Sequence, residues 1–111
     1  MSKRIRDVVK SQYPPKIKYL PGEPGSQRHQ RRLDFAIGLI PLVKRWAAQE
    51  GIELVILNQN NHWIWRKGKQ RADWWPSSAK LVLNQDFDNG IHAHDPGQVA
   101  RELVDRWRIE R

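Results

Sequence analysis

Apolar and polar residues alternate over two short stretches near the middle of the chain, His62–Arg66 and Gln70–Trp75. A period of two is typical of a β-strand, and it places Trp63 and Trp65 on the same face. Gly68 lies between the two stretches, flanked by lysines, and indicates a tight turn. The pattern therefore predicts a β-hairpin with an aromatic body and a cationic tip.

Apolar residues recur at helical spacing over roughly 27–50, which predicts a long first helix. Ser26 is the candidate N-cap, and Gly51 has the position of a glycine that ends a helix. Pro41 removes one backbone hydrogen bond and clashes with the preceding turn. Either the helix kinks at Pro41, or Pro41 lies in the first turn of a separate helix.

The clearest helix signal lies near the end of the chain. Asp95 is an acidic N-cap, Pro96 suits the first helical position, and Gln98 occupies the third. An apolar stripe follows at helical spacing, with charged residues on the opposite side. The helix is predicted to run to about Arg108.

Two further stretches complete the predicted fold. Ile52–Leu57 is almost continuously apolar, which favours a central strand or a strand with extra cover. Ala79–Leu83 is a candidate short strand. The order predicts an α+β domain over 27–111, α-β-β-β-α, with a three-stranded or four-stranded antiparallel sheet and two helices on one face. Residues 1–26 are predicted to be an irregular, proline-rich basic arm.

Length and composition exclude several classes of protein. A chain of 111 residues is one domain at most, and without cysteine it has neither disulfides nor thiolate metal sites. No apolar run approaches the ~20 residues of a membrane span. No apolar segment follows the first basic residues, as a secretory signal would require. We therefore predict a cytoplasmic protein with no membrane partner.

The net charge of +8 is concentrated at one end. Residues 1–33 carry nine Lys and Arg against two Asp and Glu, a balance of +7, and the remainder carry eleven against ten, a balance of +1. A basic arm is typical of nucleic-acid binding, although a solvated tail has the same composition. The charge distribution favours a nucleic-acid partner. Of the two nucleic acids, we predict RNA in preference to DNA.

Basic and aromatic residues together predict where nucleic acid binds. Phosphates would contact the arm, the first helix and the hairpin tip, and a tryptophan of the second hairpin strand would stack on a base. The alternatives are that the tryptophans are core and that the tip charges protect a sheet edge. The candidate residues are Arg4, Arg6, Lys16, Lys18, Arg31, Arg32, Arg66, Lys67, Lys69, Arg71, Trp74, Trp75 and Lys80.

His92 and His94 form the best candidate for a metal site, because alternate strand residues project to the same side. A third ligand would be required, and Asp95 is better explained as a helix cap. We therefore predict neither a metal nor a cofactor.

The order of elements resembles the double-stranded-RNA-binding fold and the small HicA-type messenger-RNA ribonucleases built on it. In that family a histidine opens the second strand, a glycine-containing turn follows, and a proline closes the third strand. His62, Gly68 and Pro76 stand in those places, and the resemblance covers about Ile52–Trp107. Before the histidine the family usually has a glycine and a small residue, where this chain has two asparagines.

This resemblance implies a ribonuclease in which His62 is the catalytic acid or base. Metal-free RNA cleavage requires a side chain that exchanges protons near neutral pH, and histidine has that property. The sequence shows no second catalytic group at a fixed spacing, although Lys80 or Asp73 could serve as one. A binding protein is therefore favoured over an enzyme, and ribonuclease activity is the enzymatic alternative.

A second resemblance is carried by Trp75–Lys80, Trp-Pro-Ser-Ser-Ala-Lys. Small uncharacterised phage and prophage proteins contain a similar segment after a hairpin. This resemblance implies a phage origin and a further alternative, a protein that binds or inhibits a host protein through exposed tryptophans.

Overall fold

The structure, a computed structural model, describes residues 22–107. This part of the chain is an α+β domain with three helices and a five-stranded antiparallel sheet. The predicted arm contacts at Arg4, Arg6, Lys16 and Lys18, and the predicted helix end at Arg108, lie outside the described residues. The elements are α1 (Gly25–Gly38), α2 (Ile40–Gln49), β1 (Glu53–Leu57), β2 (His62–Lys67), β3 (Gln70–Trp75), β4 (Lys80–Leu83), a 3₁₀ turn (Phe87–Asn89), β5 (Ile91–His92) and α3 (Pro96–Arg106).

The first predicted helix is two helices that share Leu39 as a boundary residue. Pro41 lies in the first turn of α2, where its missing amide proton breaks no helical bond, so the second of the two alternatives is correct. The prediction that Ser26 is the N-cap is wrong, because α1 already begins after Pro24, with no side-chain cap. Gly51 ends α2 with a φ of 70°, as predicted.

The predicted cap of α3 is confirmed. Asp95 Oδ1 accepts a hydrogen bond of 2.9 Å from the amide of Gln98. The side-chain oxygen of Gln98 in turn accepts one of 2.7 Å from the amide of His94. The two bonds satisfy amide protons that the helix itself leaves without partners, and they fix the direction in which α3 leaves the sheet.

The strands follow one another across the sheet in chain order, β1-β2-β3-β4-β5. The hairpin prediction is confirmed: Trp63 lies opposite Trp74, and Gly68 has a φ of 60° in the turn. Of the two alternatives for Ile52–Leu57, the central strand is wrong, since β1 forms one edge of the sheet in residues 22–107. The sheet also has one strand more than the largest number predicted. The additional strand, β5, was not predicted because it is only two residues long, and it pairs with β4.

One face of the sheet packs against all three helices. Four indole rings lie in its core: Trp63, Trp65 and Trp74 have no exposed surface, and Trp46 of α2 is 3% exposed. The ring centroids of Trp63 and Trp74 are 5.0 Å apart, and those of Trp46 and Trp65 are 6.5 Å apart. Aromatic side chains are therefore the largest residues between the two layers.

The other face of the sheet, here called the open face, points away from the helices. The segment after β4 folds back towards it: a Cβ on Gly90 would lie 3.2 Å from Lys80 Cε and 3.5 Å from Val82 Cγ2. None of the helices in residues 22–107 has the length and apolar character that crossing a bilayer requires. The open-face side chains are Glu53, Val55, Leu57, His62, Ile64, Arg66, Arg71, Asp73, Trp75, Lys80, Val82 and His92.

Candidate functional site

Three aromatic rings lie in a row on the open face, and His62, Trp75 and Phe87 are here called the aromatic row. The rings of His62 and Trp75 are stacked, with centroids 4.7 Å apart and planes at 15°. The ring of Phe87 lies 6.4 Å from that of Trp75. Phe87 is 53% exposed, and the other two are partly buried. The row therefore presents ring surface to solvent across β2, β3 and the 3₁₀ turn.

The carboxylate of Asp73 lies next to this row, on β3. Its side chain is 2% exposed and its Oδ2 lies 2.8 Å from His62 Nε2. Arg71 donates two further hydrogen bonds, of 2.8 Å from Nε to Oδ1 and of 2.9 Å from Nη2 to Oδ2. Every contact comes from the open face, so one buried carboxylate holds a histidine and an arginine in fixed positions.

These contacts set the charge of the site. Burial raises the pKa of Asp73, but the hydrogen bonds from Arg71 and His62 outweigh it, and the pKa lies below the ordinary value. The hydrogen bond to Asp73 raises the pKa of Arg71. Because an ionised carboxylate only accepts hydrogen bonds, His62 Nε2 carries a proton. In the neutral ring Nδ1 is then the acceptor nitrogen.

Two of the predicted cations lie on the same face of the sheet as the aromatic row and are exposed. Lys80 is the cross-strand neighbour of Trp75 and is exposed. Arg66 lies at the tip end of β2; its side chain is 46% exposed, and Nη1 is 3.9 Å from Glu53 Oε1. An exposed pair at that distance is weak, so the guanidinium can exchange Glu53 for another anion. The open face therefore has one cation beside the row and another towards the tip.

The rest of the predicted tip does not form one cationic surface. Lys67 Nζ donates to the carbonyl oxygen of Glu50 at the end of α2, on the helical side. Arg71 is held by Asp73. Lys69 is exposed in the turn. The predicted cluster is divided because neighbouring strand residues point to opposite faces.

The prediction that Trp74 or Trp75 stacks on a base can apply to Trp75 alone. Trp74 has no exposed surface, and its Nε1 donates a 2.8 Å hydrogen bond to the carbonyl oxygen of Ala93. It could meet a base only if the core opened. The alternation that places Trp63 and Trp65 in the core places Trp74 there too, because Trp63 and Trp74 are cross-strand partners.

Arg31 and Arg32 lie on α1, in the helical layer. Arg31 forms hydrogen bonds of 3.0 and 2.9 Å to the carboxylate of Glu23. The hydrogen bond from Arg31 lowers the pKa of Glu23. Burial, and the neighbouring charges of Arg28 and Arg31, lower the pKa of Arg32. These arginines and the aromatic row lie in different layers of the domain, so the structure does not bring them into one site.

The two C-terminal histidines do not form a metal centre with other described residues. The rings of His92 and His94 are 6.4 Å apart with planes at 14°, and both residues are exposed. Within residues 22–107, no three His, Cys, Asp or Glu side chains are grouped closely enough to hold a metal ion. Asp95, which the spacing brings near them, is buried as the cap of α3.

Sequence reasoning named Asp73 as a possible second catalytic group, but it predicted neither the contact between His62 and Asp73 nor the contribution of Phe87. A two-residue turn after Lys67 fixes the hairpin register, which places Asp73 opposite Ile64, on the same face as His62 and two positions from Trp75. That signal could have predicted the contact. No sequence signal predicted the position of Phe87, because it lies in a loop without a periodic pattern.

Comparisons of the chain with protein-family models, with curated proteins and with solved structures found no match. The resemblances to HicA-type ribonucleases and to phage proteins therefore stay predictions.

Proposed function

We propose that the open face binds single-stranded nucleic acid, RNA in preference to DNA. The observation that carries the proposal is the aromatic row, in which His62, Trp75 and Phe87 form adjoining ring contacts of 4.7 and 6.4 Å. Stacking of an unpaired base on an aromatic side chain contributes about 1–3 kcal/mol and tolerates any base. A row on a sheet face suits a strand whose bases are splayed out.

Cations of the open face supply the contacts to phosphate. Lys80 and Arg66 are both on the open face and largely exposed. The described residues carry 12 Lys and Arg against 10 Asp and Glu, a balance of +2, so the domain attracts phosphate only locally. The basic residues of the arm would add the long-range attraction, and binding should weaken steeply with salt.

The preference for RNA rests on His62. Asp73 holds Nε2, so Nδ1 of the neutral ring is an acceptor beside the stacking surface. A 2′-hydroxyl can donate to that nitrogen, whereas deoxyribose has no donor there. A base stacked on Trp75 would bring its own sugar next to His62.

Binding can be tested by fluorescence anisotropy with labelled RNA and DNA strands of one sequence at two salt concentrations. Trp75→Ala should weaken RNA binding by about 5-fold to 150-fold, the equivalent of one stacked base. Arg66→Gln should also weaken it, whereas Arg106→Gln should not. These two arginines are a matched pair, 46% and 49% exposed, and each faces a glutamate, but Arg106 is on α3. Binding that is absent, or insensitive to salt and to Trp75→Ala, contradicts the proposal.

Ribonuclease activity is a second candidate function, favoured by the 2.8 Å contact between His62 and Asp73. A histidine oriented by a carboxylate is a common general base. Nδ1 would take the proton of a 2′-hydroxyl, whose oxygen attacks the adjacent phosphorus. The P–O5′ bond breaks, and the leaving 5′-oxygen takes up a proton. The products are a 2′,3′-cyclic phosphate and a 5′-hydroxyl. No metal and no co-reactant are required.

The cleavage test uses a DNA strand that contains a single ribonucleotide. Cleavage only at that position, lost in His62→Asn while binding is retained, would support the activity. Asp73→Asn should reduce the rate as well, because the ring nitrogens lose the partner that sets their protonation. Equal decay with wild type and His62→Asn rejects the ribonuclease while leaving the binding proposal intact.

A further inference from the structure

The β1 strand combines a sequence typical of a covered strand with a position at the edge of the sheet. Its residues Glu-Leu-Val-Ile-Leu include one charge, at the first position, and no proline or lysine. Natural edge strands usually contain such residues, or a bulge, because the outer edge presents backbone groups that can pair with another chain. The outer edge of β1 therefore lacks the usual protection against pairing.

Burial agrees with the strand order, in which no strand of residues 22–107 pairs with the outer side of β1. In β2 the three central residues Trp63, Ile64 and Trp65 are at most 6% exposed. In β1 the equivalent residues 54–56 are all only partly buried, and Leu57 is 45% exposed. The residues of β1 thus keep solvent-accessible apolar surface on both faces of the sheet, and a neighbouring strand would cover it.

We propose that the β1 edge pairs with the β1 edge of a second copy of the chain, antiparallel, with the two-fold axis at Val55. This register pairs all five residues of each strand and keeps the faces matched. Leu54 then faces Ile56 of the second copy on the helical side, and Val55 faces its own counterpart on the open side. Both copies present the same surface, as a two-fold interface requires.

Charge selects the antiparallel arrangement. Glu53 is the only charged residue of β1. In a parallel pair the two Glu53 side chains would be neighbours, and like charges directly opposite one another destabilise a sheet. In the antiparallel pair they lie four residues apart along the strand, about 14 Å, and each faces Leu57 of the other copy. The edge is thus self-complementary in one direction only.

Pairing would join two sheets into one of ten strands and make the two open faces continuous. Leu57 is the cross-strand neighbour of His62, so each aromatic row would begin beside the shared edge. The inference does not depend on the proposed function, since it rests on β1 alone. If nucleic acid does bind, the pair would present two sites on one surface.

A single introduced cysteine tests the register directly, because the chain contains none. In Val55→Cys the two thiols would lie opposite each other, at a Cα separation of about 4.5–5.5 Å, which a disulfide spans. Lys69→Cys, exposed in the hairpin turn, is the control. Under mild oxidation Val55→Cys should form a covalent dimer far faster than Lys69→Cys. Equal rates overturn the register.

A matched pair of substitutions at Leu57 separates pairing from any change in the single chain. Leu57→Glu and Leu57→Lys remove the same exposed side chain. In the proposed dimer the new glutamate would repel Glu53 of the second copy, whereas the new lysine would attract it. Sedimentation velocity over a range of protein concentrations should show that wild type dimerises. Leu57→Glu should dimerise at least about tenfold more weakly than wild type, and Leu57→Lys should dimerise at least as strongly as wild type.

Wild type that stays monomeric at every concentration overturns the proposal. A monomer whose β1 amides are nevertheless protected from hydrogen exchange would assign the edge to residues 1–21 of the same chain, and equally overturns it. Dimerisation that Leu57→Glu and Leu57→Lys affect alike would place the interface elsewhere.

Discussion

Asp73 Oδ2 lies 2.8 Å from His62 Nε2, and the carboxylate is buried on a sheet face that no helix of residues 22–107 covers. The arginine that completes the cluster, Arg71, comes from the same strand. Burying a carboxylate is unfavourable unless it is paired and hydrogen-bonded, and here both oxygens have partners. The open face is thus held in place by a polar cluster, whereas the opposite face is held by tryptophans.

Removing the charge of Asp73 should destabilise the fold. Asp73→Asn keeps the size of the side chain but leaves Arg71 facing an amide. We expect the free energy of unfolding to fall by about 2–3 kcal/mol, less than for a fully buried pair because the Arg71 side chain is 30% exposed. Urea unfolding measures it. Glu53→Gln, which removes a half-exposed partner 3.9 Å from Arg66, should change the same quantity by less than about 0.5 kcal/mol.

The stability that Asp73 contributes should depend on pH. Its pKa in the folded protein is lowered, so the contribution is present above the ordinary value of 3.8 and is lost as the pH falls through the folded pKa. The difference in unfolding free energy between wild type and Asp73→Asn should shrink as the pH falls below 3.8. A difference that grew in acid would contradict the assigned contacts.

The stability that Asp95 contributes should depend on pH in the opposite direction to that of Asp73. Burial raises its pKa, and Oδ2 has no hydrogen-bond partner among the described residues. The protonated form is therefore favoured in the folded protein, and the contribution present below pH 3.8 is lost as the pH rises through the raised pKa. Relative to Asp95→Asn, which keeps an acceptor for the Gln98 amide, wild type should become less stable as the pH rises from acid to neutral. Thermal unfolding of both proteins across this range measures the change.

The buried tryptophans offer a measurement of one core hydrogen bond. Trp74 and Trp65 both have no exposed surface, but only the Trp74 indole N–H has an acceptor, the carbonyl of Ala93; that of Trp65 has none within residues 22–107. Phenylalanine at either position loses similar ring volume. Trp74→Phe should therefore be less stable than Trp65→Phe by about 1 kcal/mol, the usual net contribution of a hydrogen bond. Equal losses in chemical unfolding would show that ring volume alone decides.

Lys67 and Lys69 should separate stability from binding at the hairpin tip. Lys67→Met loses the donor to the Glu50 carbonyl, and the free energy of unfolding should fall by about 0.5–1.5 kcal/mol. Lys69→Met changes an exposed turn residue and should alter it by less than about 0.5 kcal/mol. In the anisotropy assay, Lys67→Met should weaken RNA binding no more than Lys69→Met does. A larger loss of RNA binding for Lys67→Met than for Lys69→Met would show that Lys67 contributes to the RNA interface.

Features that depend on residues close in sequence could be predicted. The glycine turn at Gly68, the cap at Asp95 and the helix end at Gly51 each follow from the backbone conformation that one residue type allows. The hairpin register follows from the turn, and it determines which tryptophans share a face. The α+β class follows from the order of the periodic segments.

Features that depend on packing between distant segments could not be predicted from the sequence. Whether an apolar strand lies at the centre or the edge is decided by what pairs with it, and no residue within β1 records that its outer side has no neighbour in the described chain. Phe87 contributes to the aromatic row only because the segment after β4 folds back. Ser26 is a good capping residue, yet α1 begins before it, because the amide of Arg28 bonds to the carbonyl of Pro24.

The chain-order arrangement of the sheet has a consequence for how fast the domain folds. Successive strands are joined by residues 58–61, 68–69, 76–79 and 84–90, so each pairing closes only a short loop. Folding rates rise as the mean sequence separation of contacts falls, and most sheets of this size contain more distant pairings. The packing of α1, α2 and α3 into one core on the same face of the sheet joins the two ends of residues 22–107. The transition state should therefore contain the hairpin of β2 and β3, with closure of the helical layer as the later event.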